Sequence, residues 1–440
     1  METSATITGP TAFITAVLAV LILVVPRRYL LVPIIVAACF VPCEQHVFLL
    51  RGHFYVQRII IIAGIVRIFV RGEARRIRWN RFDKIILAWV LVGAVVYILR
   101  RLDGQSLIYK SGVLLSMLGM YWLVRQNIAS WEDMKAVWRI FAYCALALVP
   151  LVAVEWTTGN SPFQLLGRAH TEWRAGEWRA AASLPHPILA GAFWVPLVPI
   201  FTALGLVDRR KLLYWCAFAA SIFIVIASRS STPIGGLGAV LLFTLLYQYR
   251  HYGRHMAVMF FGSLLALHVV MAAPVWHLLC RIRIFSGTTG YHRYALIQRT
   301  IEHFREWAML GTISTWHWGY GMFDITNQFC LEGIRGGLIT LVLFIAILFV
   351  GIRATGAYSQ RRVGRDRQWL SWALCCSLIG HCIMFIGVSY FGQIHMLLAL
   401  TFALTGFMYE QNAAAKAPIR HPAPSGHTVG PKHHGMALAR

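Results

Sequence analysis

The chain has 440 residues, of which 58% are hydrophobic and only 13% charged, and its mean hydropathy is +0.62. A soluble domain of this length needs more polar surface than that, so an ordinary soluble enzyme is excluded. The net charge of +24 could point to nucleic acid, but the basic residues fall in short runs between apolar segments and form no contiguous face, so no nucleic-acid partner is expected.

In chain order, the first apolar run, 11–25, ends in Pro26-Arg27-Arg28 with no small-residue cleavage site, and predicts a retained helix. Apolar segments follow at 29–42, 56–70, 85–99, 107–124, 137–155, 184–206, 212–227, 233–247, 256–273, 336–352, 369–388 and 394–410. Several of these carry no charge, and each spans or nearly spans a hydrocarbon core of about 30 Å as a helix. Continuous runs exclude the short alternating segments of a β-barrel, and helices satisfy their own backbone in lipid. The predicted fold is all-α, a single polytopic membrane domain over 1–410 with about twelve or thirteen helices. The count turns on the two short opening segments. Basic connectors at 71–84, 207–211, 248–255 and 353–368 belong on the cytoplasmic side. Two external loops follow, 156–183 and 274–335, with a short external turn at 228–232. The basic tail 411–440 is expected to be disordered and cytoplasmic.

Nine cysteines are scattered without a CxxC pair or Cys/His metal spacing, so no metal is expected. Cys280 and Cys330 share one external loop and could pair there.

Both loops are basic against the topological rule. The first holds Arg168, His170, Glu172, Arg174, Glu177 and Arg179, interleaved with Trp173 and Trp178. The second holds His292, Arg293, Arg299, His303, Arg305, His317 and Asp324, with Arg281 and Arg283 at its start as lipid-facing snorkelling residues. Recruiting an anionic substrate explains this excess; interfacial helices contacting lipid phosphates explain it too, and the two are compatible. Arg229, in Ser228-Arg229-Ser230-Ser231 between two apolar segments, is the sharper signal. An arginine within a membrane costs on the order of 3 kcal/mol, so it calls for a partner or a function. Its planar guanidinium suits a phosphate clamp.

At Ser228-Arg229-Ser230-Ser231 and the apolar stretch after it, the chain resembles the O-antigen ligase and O-antigen polymerase superfamily. Pro185-His186-Pro187, the stretch from Arg293 to Gly311, and the series Asn327, Gly337, Thr340 extend the resemblance over roughly 183–352. The resemblance implies a GT-C-like membrane glycosyltransferase of the bacterial inner membrane with its site facing the periplasm. It would move a glycan from a polyprenyl diphosphate carrier to a glycolipid or saccharide acceptor without metal or other cofactor. Arg229 and Arg293 would hold the donor diphosphate. His186, Arg168, Arg174, Arg179 and Asn327 are further candidates, His186 being either a cavity residue or a helix cap. The family's motif histidine is replaced here by Thr326, which has no pKa near neutrality. Asp324 and His317 are the nearest titratable residues, and the three together are the catalytic candidates. A polymerase of the same superfamily is the near alternative. A transporter or flippase is a different class, weakened by the lack of an internal repeat and by few polar residues in the apolar segments, chiefly Arg67, His268 and His381. An inactive lipid-diphosphate-binding relative also fits Thr326.

Overall fold

The computed structural model describes residues 7–49, 52–281 and 289–414; Glu2, Arg283 and the tail beyond Ala414 lie outside the described residues. It is 76% helical with almost no sheet, which makes the chain an all-α bundle. In order come α1 (Gly9–Val24), α2 (Leu31–Phe40), a small hairpin of β1 (His46–Leu49) and β2 (Gly52–Tyr55), α3 (Val56–Val70) and α4 (Arg81–Arg101). Next are α5 (Gly104–Leu114) and α6 (Met120–Asn127), joined through a π-helical turn, then α7 (Trp131–Thr158). A second hairpin, β3 (Glu172–Arg174) and β4 (Glu177–Arg179), precedes α8 (Pro187–Trp194), α9 (Val198–Val207), α10 (Lys211–Ala227), α11 (Ser231–Leu245) and α12 (Gly253–Val270). The chain closes with α13 (Thr289–Glu302), α14 (Phe304–Trp307), α15 (Gln328–Ser359), α16 (Arg365–Gly387) and α17 (Ile394–Ala414).

Every apolar segment of the sequence falls on a helix, because long apolar runs satisfy backbone and side chains together only in that form. Among the described residues, seven helical stretches are long and apolar enough to cross a membrane, and α1 and α10 are shorter apolar helices. α8 and α9 form the core, with Phe193, Trp194 and Phe201 fully enclosed. α12 is the opposite: it is apolar, yet none of its residues is buried, and Val258, Met259, Phe260, Phe261 and Leu265 all lie open.

Three boundaries differ from the sequence expectation. The connector 248–255 is not a loop, since a 3-10 turn over Leu246–Tyr252 carries α11 into α12. The second long connection stops at 327 rather than 335, because Asn327 caps α15 by accepting the amide of Cys330 at 3.0 Å. The apolar run beginning at Gly336 marks a break inside that helix, where Gly337 adopts φ 74° and ψ 179°. The broken backbone is satisfied from outside: Leu338 N–H donates to Ala308 O at 2.8 Å, and Thr312 N–H to Ile334 O at 2.7 Å. Cys280 and Cys330 are both free thiols.

Charge closes the end of the bundle opposite the two long connections. Asn80 and Asp83 form a capping box on α4, and the buried Asp83 carboxylate also pairs with Arg125 and accepts from Tyr121. Arg125 reaches on to Glu410, joining α4, α6 and α17. Arg67, one of the few charges in an apolar segment, bonds Glu73 and the carbonyl of Ile22. His381 Nδ1 meets the Tyr390 hydroxyl at 2.8 Å, while its Nε2 is buried without a partner among the described residues.

Candidate functional site at the turn between two helices

The two long connections, 159–186 and 271–327, meet at the turn joining α10 to α11. In the first, β3 and β4 pair with Glu172 opposite Arg179, Trp173 opposite Trp178, and Arg174 opposite Glu177. Ala175 and Gly176 both take positive φ, the two-residue turn whose twist suits a tight hairpin. The cross-strand tryptophans meet edge to face, centroids 4.5 Å apart. Arg174 ends up exposed at the hairpin tip. Trp178 lies against Gly159, where an added Cβ would come within 2.3 Å of its ring.

Arg168 does not join this group. It is buried on Glu155 and on Ser161 Oγ, and the same carboxylate accepts the amides of Ala181 and Ala182 at 3.2 and 2.9 Å. Its role is to fold the connection. A buried carboxylate with this many donors is a stable nucleus, and it fixes the chain immediately after β4.

The turn itself is built from small hydroxyl residues. Arg179 is buried and donates to Glu172 at 2.6 Å, to Ser230 Oγ at 2.6 Å and to the carbonyl of Ser228 at 3.4 Å. Burial pulls the Arg179 guanidinium below its ordinary value, and Glu172 opposes that pull. Arg229 sits in the left-handed region at φ 45°, pairs with Glu177 and lies over the Trp156 ring at 5.4 Å. Arg293 arrives from α13 and donates to Thr232 Oγ1 at 2.7 Å and Ser231 Oγ at 3.3 Å. It passes against Gly387 at the end of α16, where a Cβ would lie 3.1 Å from its Nε.

Arg179 and Arg229 each have a glutamate. Arg293 has none: among the described residues it forms no ion pair, and burial alone holds its guanidinium below the ordinary arginine value. The first turn of α11 adds the backbone N–H groups of Ser231 and Thr232, which have no partner among the described residues; Pro233 has none to offer, and the first intrahelical bond runs from Ile234 to Ser230. Hydroxyls, helix amides and an uncompensated guanidinium together make a place for an anion.

His186 proves to be a cap. Its Nδ1 accepts the Ile188 amide at 3.1 Å, with Pro187 at the first helical position where a missing N–H costs nothing. The proton of the neutral ring is therefore on Nε2, 3.4 Å from Glu172. Burial lowers its pKa, with Glu172 and Asp324 opposing and Arg179 and Arg174 assisting. The fold thus brings Asp324 into electrostatic reach of the first connection. Asp324 is exposed, its carboxylate makes no hydrogen bond among the described residues, and its carbonyl contacts His292 Nε2 at 3.2 Å. Thr326 is half-buried two residues on. Asn327 is buried and donates to Ile386 O at 3.1 Å, which holds the end of α16 beside Arg293.

His317 belongs to a different group, with Glu306 and His303. Neither that group nor the Glu172 and Glu177 counter-charges showed in the string of residues, since each is assembled by turns that fold the chain back. Comparison with family models finds no match, and neither does comparison with curated proteins.

Arg229 allows charge and backbone to be separated. Arg229→Ala and Arg229→Gly lose the same guanidinium, but only glycine is unstrained at φ 45°. The glycine variant is expected to be the more stable by about 1 kcal/mol in thermal unfolding. Both should show the same deficit in binding an anionic ligand. Unequal deficits would mean that the backbone shape, not the charge, matters.

Proposed function

We propose that this chain is a membrane-embedded glycosyltransferase that moves a glycan from a polyprenyl diphosphate carrier to a hydroxyl acceptor. The observation that carries the reading is Arg293, a half-buried arginine with no carboxylate partner among the described residues, held by Ser231 and Thr232 at a helix N-terminus that follows Arg229 in the chain. A leaving lipid diphosphate gains negative charge as the glycosidic bond breaks. Fixed cations and backbone amides aimed at that charge lower the barrier without reorganising. Arg293 and the first turn of α11 are assigned to the phosphates, with Arg229 exchanging Glu177 for the second phosphate. Asp324 is the base assigned to the acceptor hydroxyl, being the unbonded carboxylate nearest the motif threonine. A proton passes from that hydroxyl to Asp324 as its oxygen bonds to the anomeric carbon and the diphosphate leaves.

Membrane placement draws support from α12, which would present an apolar surface to water on every side if it were not in lipid. The loops would then face the periplasm and the basic connectors the cytoplasm of a bacterial inner membrane. A carrier chain could stay in the bilayer while its diphosphate reached the α10–α11 turn. Release of polyprenyl diphosphate from a lipid-linked oligosaccharide, with crude membrane glycolipids as acceptor, tests the reading. Acceptor-dependent release is expected from the purified protein. Binding of the donor without release would leave a lipid-diphosphate receptor; no binding at all would reject the assignment.

A further inference from the structure

The second connection holds a cluster that this reading does not use. His303, in the break between α13 and α14, and Glu306, on α14, are three residues apart and bond side chain to side chain. His317 comes from a 3-10 turn over Trp316–Trp318. His303 Nδ1 lies 2.6 Å from one Glu306 oxygen and His317 Nε2 lies 2.8 Å from the other. One nitrogen from each histidine and the carboxylate all fall within 4.8 Å of one another.

We infer that His303, Glu306 and His317 form a binding site for a divalent transition-metal ion of the zinc class. Two imidazoles and one carboxylate are a common protein set for zinc, with water completing the tetrahedron. The donor chemistry excludes a calcium or magnesium preference, since those ions take mainly oxygen ligands. The surroundings of the ligands are also those of a metal site. Trp318 stacks on the His303 ring, centroids 4.9 Å apart and planes 6° from parallel, and its indole N–H donates to Glu306 at 2.9 Å. Ring orientation and the carboxylate are therefore fixed by one neighbour, the kind of outer support that tunes metal ligands. The nearby Arg299 is neutralised by Glu302 at 2.8 Å, which removes part of the repulsion a cation would meet. Side-chain exposures of 26%, 38% and 56% for His303, Glu306 and His317 leave an open route for the ion and its water.

Binding the ion displaces the protons that the two ring nitrogens share with the carboxylate. It would tie the end of α13 and α14 to the 316–318 turn, and so fix the segment that continues to Asp324 and Thr326. The site is thus a clasp on the loop, separate from the arginines at the α10–α11 turn.

The test uses full-length protein purified without a polyhistidine tag, stripped with chelator and titrated with Co²⁺ and then Zn²⁺. Wild type should develop the visible bands of tetrahedral Co²⁺, and Zn²⁺ should bleach them. His303→Ala and His317→Ala should lose the bands, while His251→Ala on the basic connector keeps them. The tail histidines, including His433 and His434, contribute the same background to every variant. Trp318→Phe keeps the stacked ring but lacks the N–H, and should bind about tenfold more weakly. That variant, with melting measured in chelator, guards against a histidine variant that merely fails to fold. Absence of the bands in wild type, or their survival in both His303→Ala and His317→Ala, would overturn the proposal.

Discussion

Replacing Arg293 with alanine is expected, on the proposed glycan transfer, to lower the rate of donor cleavage by about 100-fold or more, the loss seen when one fixed donor to a developing oxyanion is removed. The reason lies in the contrast among three neighbouring arginines. Arg179 is matched by Glu172 and Arg229 by Glu177, so much of their charge is answered within the fold. Among the described residues Arg293 has two hydroxyls to hold it and no anion to answer it. Dehydrating such a group is unfavourable unless a ligand supplies the missing charge. Arg293→Lys keeps the charge but not the planar fork, and should recover part of the rate with weaker donor binding. Single-turnover release of polyprenyl diphosphate, measured beside donor binding, separates the two effects. Full activity in Arg293→Ala would remove the diphosphate from this position.

Arg229 was visible in the sequence for a simple reason: a charge amid apolar residues is itself a signal; Arg293, one of several basic residues in its loop, was marked only by the family resemblance. The partners that divide their roles were not visible. Glu172 and Glu177 reach Arg179 and Arg229 only because a two-residue turn folds EWRAGEWR back on itself and lays it over the α10–α11 turn. Arg168 looked equivalent to Arg179 in composition, yet Glu155, at the end of an apolar helix, takes it into the interior. The cluster of His303, Glu306 and His317 has no recognisable ligand spacing as a string, because its third member arrives on a separate turn. Every segment that hydropathy marked lies on a helix, since it measures transfer from water, but the polar helices α13 and α14 fell within a stretch read as an external loop. Hydropathy is blind to backbone geometry, and so it began a segment at Gly336 where the chain instead breaks a helix that had started at Gln328.

That break yields the second large effect. Gly337→Ala is expected to destabilise the protein by about 3 kcal/mol, because φ 74° with ψ 179° belongs to a region essentially restricted to glycine. Space forbids the change as well: an added Cβ would lie 2.4 Å from the carbonyl oxygen of Met309, a backbone atom that cannot swing aside. Relief would require the 308–312 segment of the loop to withdraw, breaking the bonds from Leu338 to Ala308 and from Thr312 to Ile334. Two backbone groups inside α15 would then lose their partners at once. The loop so released is the one that runs on to Asp324 and Thr326, so donor cleavage should fall along with the melting temperature. Gly356→Ala, later in the same helix with only the Cys375 sulfur 3.7 Å from the added carbon, should change neither. Thermal unfolding in detergent together with hydrogen exchange at 308–312 distinguishes the outcomes. Loss of protection confined to that segment and to the first half of α15 is the expected pattern. A Gly337→Ala protein that melts like wild type would show that the helix can close across the break and that the loop does not depend on it.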